Sequence, residues 1–163
     1  MGLGARAIWS ALAAAILAAG GCQSPDRAAD ASTVTRVVST TSFGMCVGYC
    51  TTRLELTEAG AVLTRQGRGG RGVVALPDQV IRAPLAPGEW REIARLAEAA
   101  RFEGLPPVIG CPDCADGGAE SISVESGGGT KSVSFDHGAK VEGLEGLLEK
   151  AREKRAAMTP SDK

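Results

Sequence analysis

"ESISVESGGGTKSVSFD", residues 120–136, carries the clearest structural signal in the sequence. Ile122 and Val124 alternate with polar residues before the three glycines, and Val133 and Phe135 do so after them. Successive side chains of a strand point to opposite faces of a sheet, so each half predicts a strand with one apolar face. The glycines between the two halves predict the turn of a β-hairpin.

The residues before this hairpin contain further strand signals. Residues 34–43 are rich in β-branched types, residues 53–57 (RLELT) alternate, and residues 61–66 (AVLTRQ) follow as the hairpin partner of that strand. The stretches VVAL and QVIRAPL, separated by Pro77 and Asp78, are also strand-like. The N-terminal half of the chain therefore predicts three or four strands.

Two segments follow the helical period instead. Residues 87–104 and 141–158 repeat apolar residues at a spacing of three and four, which predicts amphipathic helices. The apolar positions are Trp90, Ile93, Ala97 and Ala100 in the first segment and Val141, Leu144, Leu148 and Ala151 in the second. The order βββ(β)αββα predicts an α+β domain, with an antiparallel sheet of about five or six strands and two helices on one face.

The N-terminus is typical of a secretory signal. A single positive charge at Arg6 precedes the uncharged stretch AIWSALAAAILAAGG, which is shorter than the roughly 20 apolar residues of a membrane span. We therefore interpret residues 1–21 as a signal peptide. The small polar residues up to 33 form an expected flexible tether, residues 34–158 a single domain, and residues 159–163 a disordered tail.

The stretch LAAGGC, residues 17–22, resembles a bacterial lipobox. The resemblance implies that Cys22 becomes the first mature residue and carries acyl chains such as palmitate, which hold the protein to a membrane of the bacterial cell envelope. An Asp directly after the lipidated cysteine resembles an inner-membrane retention signal in bacteria with two membranes. Gln23 stands there instead, which favours the periplasmic face of the outer membrane.

Charge and composition exclude some partners. The chain has 18 basic and 19 acidic residues, and removal of residues 1–21 leaves a net charge of −2. Aromatic residues make up only 4%, so the sequence offers no stacking platform for bases or sugars. We expect no nucleic-acid binding.

Four cysteines remain in the mature chain, in the motifs CVGYC and CPDC. Outside the cytosol they predict disulfides, and three pairings are possible. Local pairing is favoured, because each pair lies in a short loop that contains Gly or Pro. A tetrathiolate zinc site and thiol-redox chemistry at CPDC are the alternatives. The residues concerned are Cys46, Cys50, Cys111 and Cys114.

Other signals are weak. The stretch GRGGRG, residues 67–72, lacks the following helix of a nucleotide-binding loop, so we interpret it as a solvated flexible loop. A basic loop of Arg65, Arg68 and Arg71 that contacts an anionic lipid, a polysaccharide or a partner is the alternative. The sequence contains no nucleophile motif that His137 could activate as a catalytic base. Three oxygen donors near CPDC, which do not follow the EF-hand register, are Asp113, Asp116 and Glu120.

The segment 34–157 resembles a group of small bacterial secreted and lipoprotein domains of unknown function, through SFGMCVGYC, LELTEAGAV and KSVSFDHG. The resemblance implies the fold and the compartment and brings no catalytic residues. We therefore predict a non-catalytic binding domain with no cofactor, whose partner is an envelope protein or polysaccharide. The predicted contact patch is Phe43, Met45, Val47 and Tyr49.

Overall fold

A computed structural model describes residues 33–161. The expected signal peptide and the lipidated Cys22 lie outside these residues, as does the tether apart from Thr33. The strands are β1 (Val34–Ser42), β2 (Gly48–Thr57), β3 (Gly60–Arg68), β4 (Gln79–Ala83), β5 (Val108–Ile109), β6 (Ala119–Ser126) and β7 (Gly129–Asp136). The helices are α1 (Glu89–Ala99) and α2 (Glu145–Met158).

The strands form one mixed sheet in the order β4-β3-β2-β1-β6-β7-β5. All pairs are antiparallel except β5 with β7. The α+β class and the two helices are confirmed, and the sheet has seven strands rather than five or six. The additional strand, β5, has two residues, too few for an alternating pattern to reveal it in the sequence.

One face of the sheet carries the apolar side chains, as the alternation predicts. Leu54 lies opposite Leu63, Ile122 lies opposite Val133, and all four side chains are fully buried. Burial of side chains of this size contributes about 1.5–3 kcal/mol each. The helices add Ile93, Ala94, Ala97, Leu147, Leu148 and Ala151 to the same core.

Both helices are shorter than the sequence predicts. The first ends at Ala99, since Ala100 is extended and the next N–H, of Arg101, donates to the carbonyl oxygen of Gly143 at 3.0 Å. The second begins only at Glu145, because Gly143 has a φ of +82°, outside the helical region. The prediction that residues 141–144 are helical is therefore wrong, although Val141 and Leu144 are buried as expected for apolar residues.

The opposite face of the sheet is polar. Ser123 lies opposite Ser132, and Arg36 donates hydrogen bonds to Glu125 at 2.6 Å and to Glu55 at 3.2 Å. The hydrogen bonds from Arg36 hold the pKa of the Glu125 carboxyl below its usual range. Within residues 33–161, no helix is long and apolar enough to cross a membrane.

Candidate contact surface

The connection between β1 and β2 is a short loop closed by a disulfide. Cys46 and Cys50 are joined with their Cα atoms 5.5 Å apart. The N–H of Phe43 donates to the carbonyl oxygen of Cys50 at 3.0 Å, and Gly48 takes a φ of +105° that favours glycine. The loop therefore has a fixed shape, with Met45 at its tip 76% exposed.

A second disulfide closes the loop between β5 and β6. Cys111 and Cys114 are joined with their Cα atoms 5.4 Å apart, and the N–H of Cys111 donates to Asp136 Oδ1 at 3.2 Å. Cys114 begins only a three-residue 3-10 turn that ends at Asp116, and within it Ala115 and Asp116 have positive φ values. A reactive thiol at the N-terminus of an α-helix, the context of redox motifs, is thus not formed here.

The two disulfide loops lie against each other. The N–H of Gly44 donates to Asp113 Oδ1 at 3.1 Å, and a Cβ on Gly44 would overlap that carboxylate. The Phe43 ring packs on His137 with ring centroids 5.0 Å apart. Arg68 donates to the carbonyl oxygen of Gly44 at 2.8 Å. These contacts combine the loops into one rigid end of the sheet.

The cysteines are arranged as two separate disulfides, one in each loop. A sulfur in a disulfide has no thiolate to offer a metal, so this state does not supply the four ligands of the zinc alternative. In the part of the chain that the structure describes, no group of three or more metal-ligating side chains comes together. Two of the three oxygen donors noted in the sequence bind other groups, since Glu120 accepts hydrogen bonds from arginines and Asp113 accepts one from the Gly44 N–H.

The residues between β3 and β4 form a third loop at the same end. Gly70 and Val73 exchange backbone hydrogen bonds at 3.0 and 2.8 Å, which turns the chain back on itself. The backbone of Leu76 passes so close to Gly67 that a Cβ there would overlap it. GRGGRG is therefore a packing motif. The expected strand over residues 73–76 is wrong, because an apolar β-branched run has the same sequence pattern in an exposed loop as in a strand.

Five exposed apolar side chains lie in the first and third loops. Of the seven large apolar side chains exposed within residues 33–161, the other two are Val80 and Val108. Val74 is 86% exposed, and a Cβ on Gly70 would touch Val47, so the two loops adjoin. We call this set the contact surface, and its members are Met45, Val47, Val73, Val74 and Leu76.

The predicted patch divides into exposed and supporting residues. Met45 and Val47 belong to the contact surface, whereas Phe43 and Tyr49 are half-buried. Tyr49 donates from its hydroxyl to the carbonyl oxygen of Pro77 at 3.2 Å, and the Arg65 guanidinium lies 4.1 Å from its ring. Arg65 is only 5% exposed, so the expectation of a basic surface loop with three arginines is wrong.

A buried polar cluster lies beneath this end of the sheet. Glu120 is 1% exposed, and its carboxylate accepts hydrogen bonds from Arg152 and Arg155, both at 2.8 Å. Arg155 also donates to the Ser39 hydroxyl. Burial raises the pKa of Glu120, but the hydrogen bonds and charges of both arginines outweigh it, so the pKa lies below its ordinary value.

The chain enters the domain at the opposite end of β1. The carbonyl oxygen of Thr33 accepts a hydrogen bond from Gly127 in the β6–β7 turn. β1 has nine residues, which places its two ends about 26 Å apart. The contact surface therefore lies at the other end of β1 from Thr33.

Comparison with models of known protein families finds no match, and comparison with characterised proteins finds none either. The contact surface and the polar cluster are consequently interpreted from their own geometry.

Proposed function

We propose that the protein is a membrane-anchored lipoprotein whose domain binds another envelope protein through the contact surface. The observation that carries the proposal is the concentration of five exposed apolar side chains on two adjoining loops. Isolated apolar side chains are common on soluble proteins, whereas a contiguous exposed patch is typical of an interaction site.

The rigidity of the loops supports a binding role. The Cys46–Cys50 disulfide, the Gly44–Asp113 hydrogen bond and the packing of Leu76 on Gly67 fix the loops before any partner arrives. A preorganised surface loses little conformational entropy on association. The side chains are aliphatic rather than aromatic, which favours a protein over a polysaccharide.

The geometry of the chain fits an anchor at Cys22. The eleven residues from 23 to 33 span at most about 40 Å when fully extended. This tether would join the domain at Thr33, at the end of β1 remote from the contact surface. The intact mass of the protein purified from membranes tests the anchor. We expect loss of residues 1–21 and added acyl mass, whereas an unmodified Cys22 contradicts it.

Site-specific photo-crosslinking in cells tests the contact surface. A photoreactive amino acid is placed at Met45 or Val74, and in matched controls at Val80 or Val108, which are exposed but lie outside the two loops. We expect one discrete adduct from positions 45 and 74 that the controls lack. Equal adducts from all four positions would contradict the proposed surface.

A further inference from the structure

The helix-covered side of the sheet contains an open depression near the end of β1. It has a volume of about 420 Å³ and is lined by Thr41, Thr52, Arg152, Arg155, Ala156 and Thr159. We propose that this depression binds a small oxyanion, namely a phosphate or carboxylate group. The proposal is independent of the contact surface and of the anchor at Cys22.

The charges of the residues that line the depression and of their ion-pair partner Glu120 do not cancel. Glu120 supplies one negative charge, and Arg152 and Arg155 supply two positive charges. The side chains of the two arginines are only 30% and 11% exposed, respectively. The excess positive charge is therefore held where water screens it less than at an open surface, which strengthens its attraction for an anion.

Each arginine keeps donors that Glu120 does not occupy. Arg152 uses Nε and Nη2 for Glu120 and for the carbonyl oxygen of Ala139, which leaves Nη1. Arg155 uses Nη1 for Ser39 and Nη2 for Glu120, which leaves Nε. Planar guanidinium donors match the geometry of phosphate and carboxylate oxygens better than an ammonium group does.

Hydroxyl groups complete the donor set. Thr41 and Thr52 lie directly opposite each other on β1 and β2, and both line the depression. Among the hydrogen bonds that join residues 33–161, none uses either hydroxyl. Thr159 donates from its N–H and its hydroxyl to the carbonyl oxygen of Arg155, which reduces the negative potential at the end of α2. These features favour an anion over a cation.

Titration of the ¹⁵N-labelled full-length protein with inorganic phosphate, at ionic strength held constant with sodium chloride, tests the proposal by NMR. We expect saturable shifts confined to the amides of Thr41, Thr52 and Thr159 and to the Nε–H of Arg155. Chemical-shift changes that rise linearly with phosphate concentration, or that are equal throughout the protein, would indicate an adventitious ion only. Either result would overturn the proposal. A parallel titration with N-acetylalanine distinguishes the source. If inorganic phosphate saturates the shifts at the lower concentration, a free phosphate is the better ligand. If N-acetylalanine does so, a chain-end carboxylate is the better ligand.

Two variants and a control make the test specific. Thr52→Val removes one donor at nearly constant volume, and we expect phosphate to bind about fivefold more weakly. Glu120→Gln raises the excess charge by one unit, and we expect several-fold tighter binding. Thr64→Val changes a half-buried threonine on the opposite face of the sheet and should leave binding unchanged. Unaltered binding in Thr52→Val would overturn the proposal, even if Glu120→Gln fails to fold.

Discussion

The backbone N–H of Gly44 donates a hydrogen bond to the Asp113 carboxylate at 3.1 Å, although 69 residues separate the two in the sequence. This bond joins the Cys46–Cys50 loop to the loop that holds Cys111 and Cys114. The two disulfide loops are therefore joined to each other, and the first loop is held both by its disulfide and by the hydrogen bond at Gly44.

The Gly44→Ala substitution tests this connection. The new Cβ would overlap the Asp113 carboxylate, so the side chain must move and the hydrogen bond is lost. We expect a decrease of about 1 kcal/mol in the free energy of unfolding, together with faster hydrogen exchange at residue 44. Gly127→Ala is the matched control, because open space surrounds that glycine. Equal stability of the two variants would contradict the role given to this bond.

Removal of the first disulfide by Cys46→Ser and Cys50→Ala should destabilise the protein. The closed loop is short, and the chain-entropy relation gives about 2 kcal/mol for a loop of this size. Chemical denaturation of the variant and of the oxidised wild type measures the difference. An unfolding free energy equal to that of the wild type would show that the other contacts hold the loop without the bond.

Gly67→Ala should release the third loop. A Cβ at this position would overlap the backbone of Leu76, and a backbone contact is relieved only by moving the segment. We expect a loss of about 2–3 kcal/mol and proteolytic cleavage between residues 69 and 78 under native conditions. Gly128→Ala, with no close neighbour but the Ser126 hydroxyl at 3.8 Å, should be cleaved no faster than the wild type. Protection of the loop in Gly67→Ala would contradict the packing role of GRGGRG.

The Glu120 carboxylate should make the fold sensitive to acid. Its folded-state pKa lies below the ordinary value of 4.5, so the unfolded chain binds a proton more readily than the folded protein. The stabilisation is therefore fully present above that pH and is lost as the pH falls through the folded-state pKa.

Glu120→Gln separates this contribution from that of other carboxylates. We expect a loss of about 2 kcal/mol near neutral pH and a shallower fall in stability below pH 4.5, both measured by urea unfolding across a pH series. Glu98→Gln, at an exposed position of α1, is the control and should follow the wild type. A variant as acid-sensitive as the wild type would show that other groups govern the acid transition.

The sequence predicts well those strands and helices whose apolar residues follow a regular local spacing. The β6–β7 hairpin follows from the alternation of Ile122 and Val124, and the core stripe of α1 follows from the spacing of Ile93 and Ala97. The helix bounds depend on tertiary contacts. Gly143 in a left-handed conformation delays α2, and nothing in the apolar spacing of Val141 and Leu144 indicates it.

The buried polar cluster of Glu120, Arg152 and Arg155 is a part of the structure that the sequence did not predict. Glu120 is 32 and 35 residues away from its two arginine partners, so no short motif connects them. One signal was present, because Glu120 is in phase with Ile122 and Val124 on the buried face of its strand. A carboxylate in that phase requires a buried cationic partner. Arg155, in phase with Leu148 and Ala151 on α2, was the corresponding candidate.

The size of the native complex extracted from membranes in mild detergent tests the proposed function most directly. The loop variant carries Met45→Ser and Val74→Ser, and the control variant carries Val80→Ser and Val108→Ser. We predict that the wild type and the control migrate in a complex larger than the single chain, while the loop variant migrates alone. A loop variant that remains in the same complex as the wild type would contradict the assignment of the contact surface.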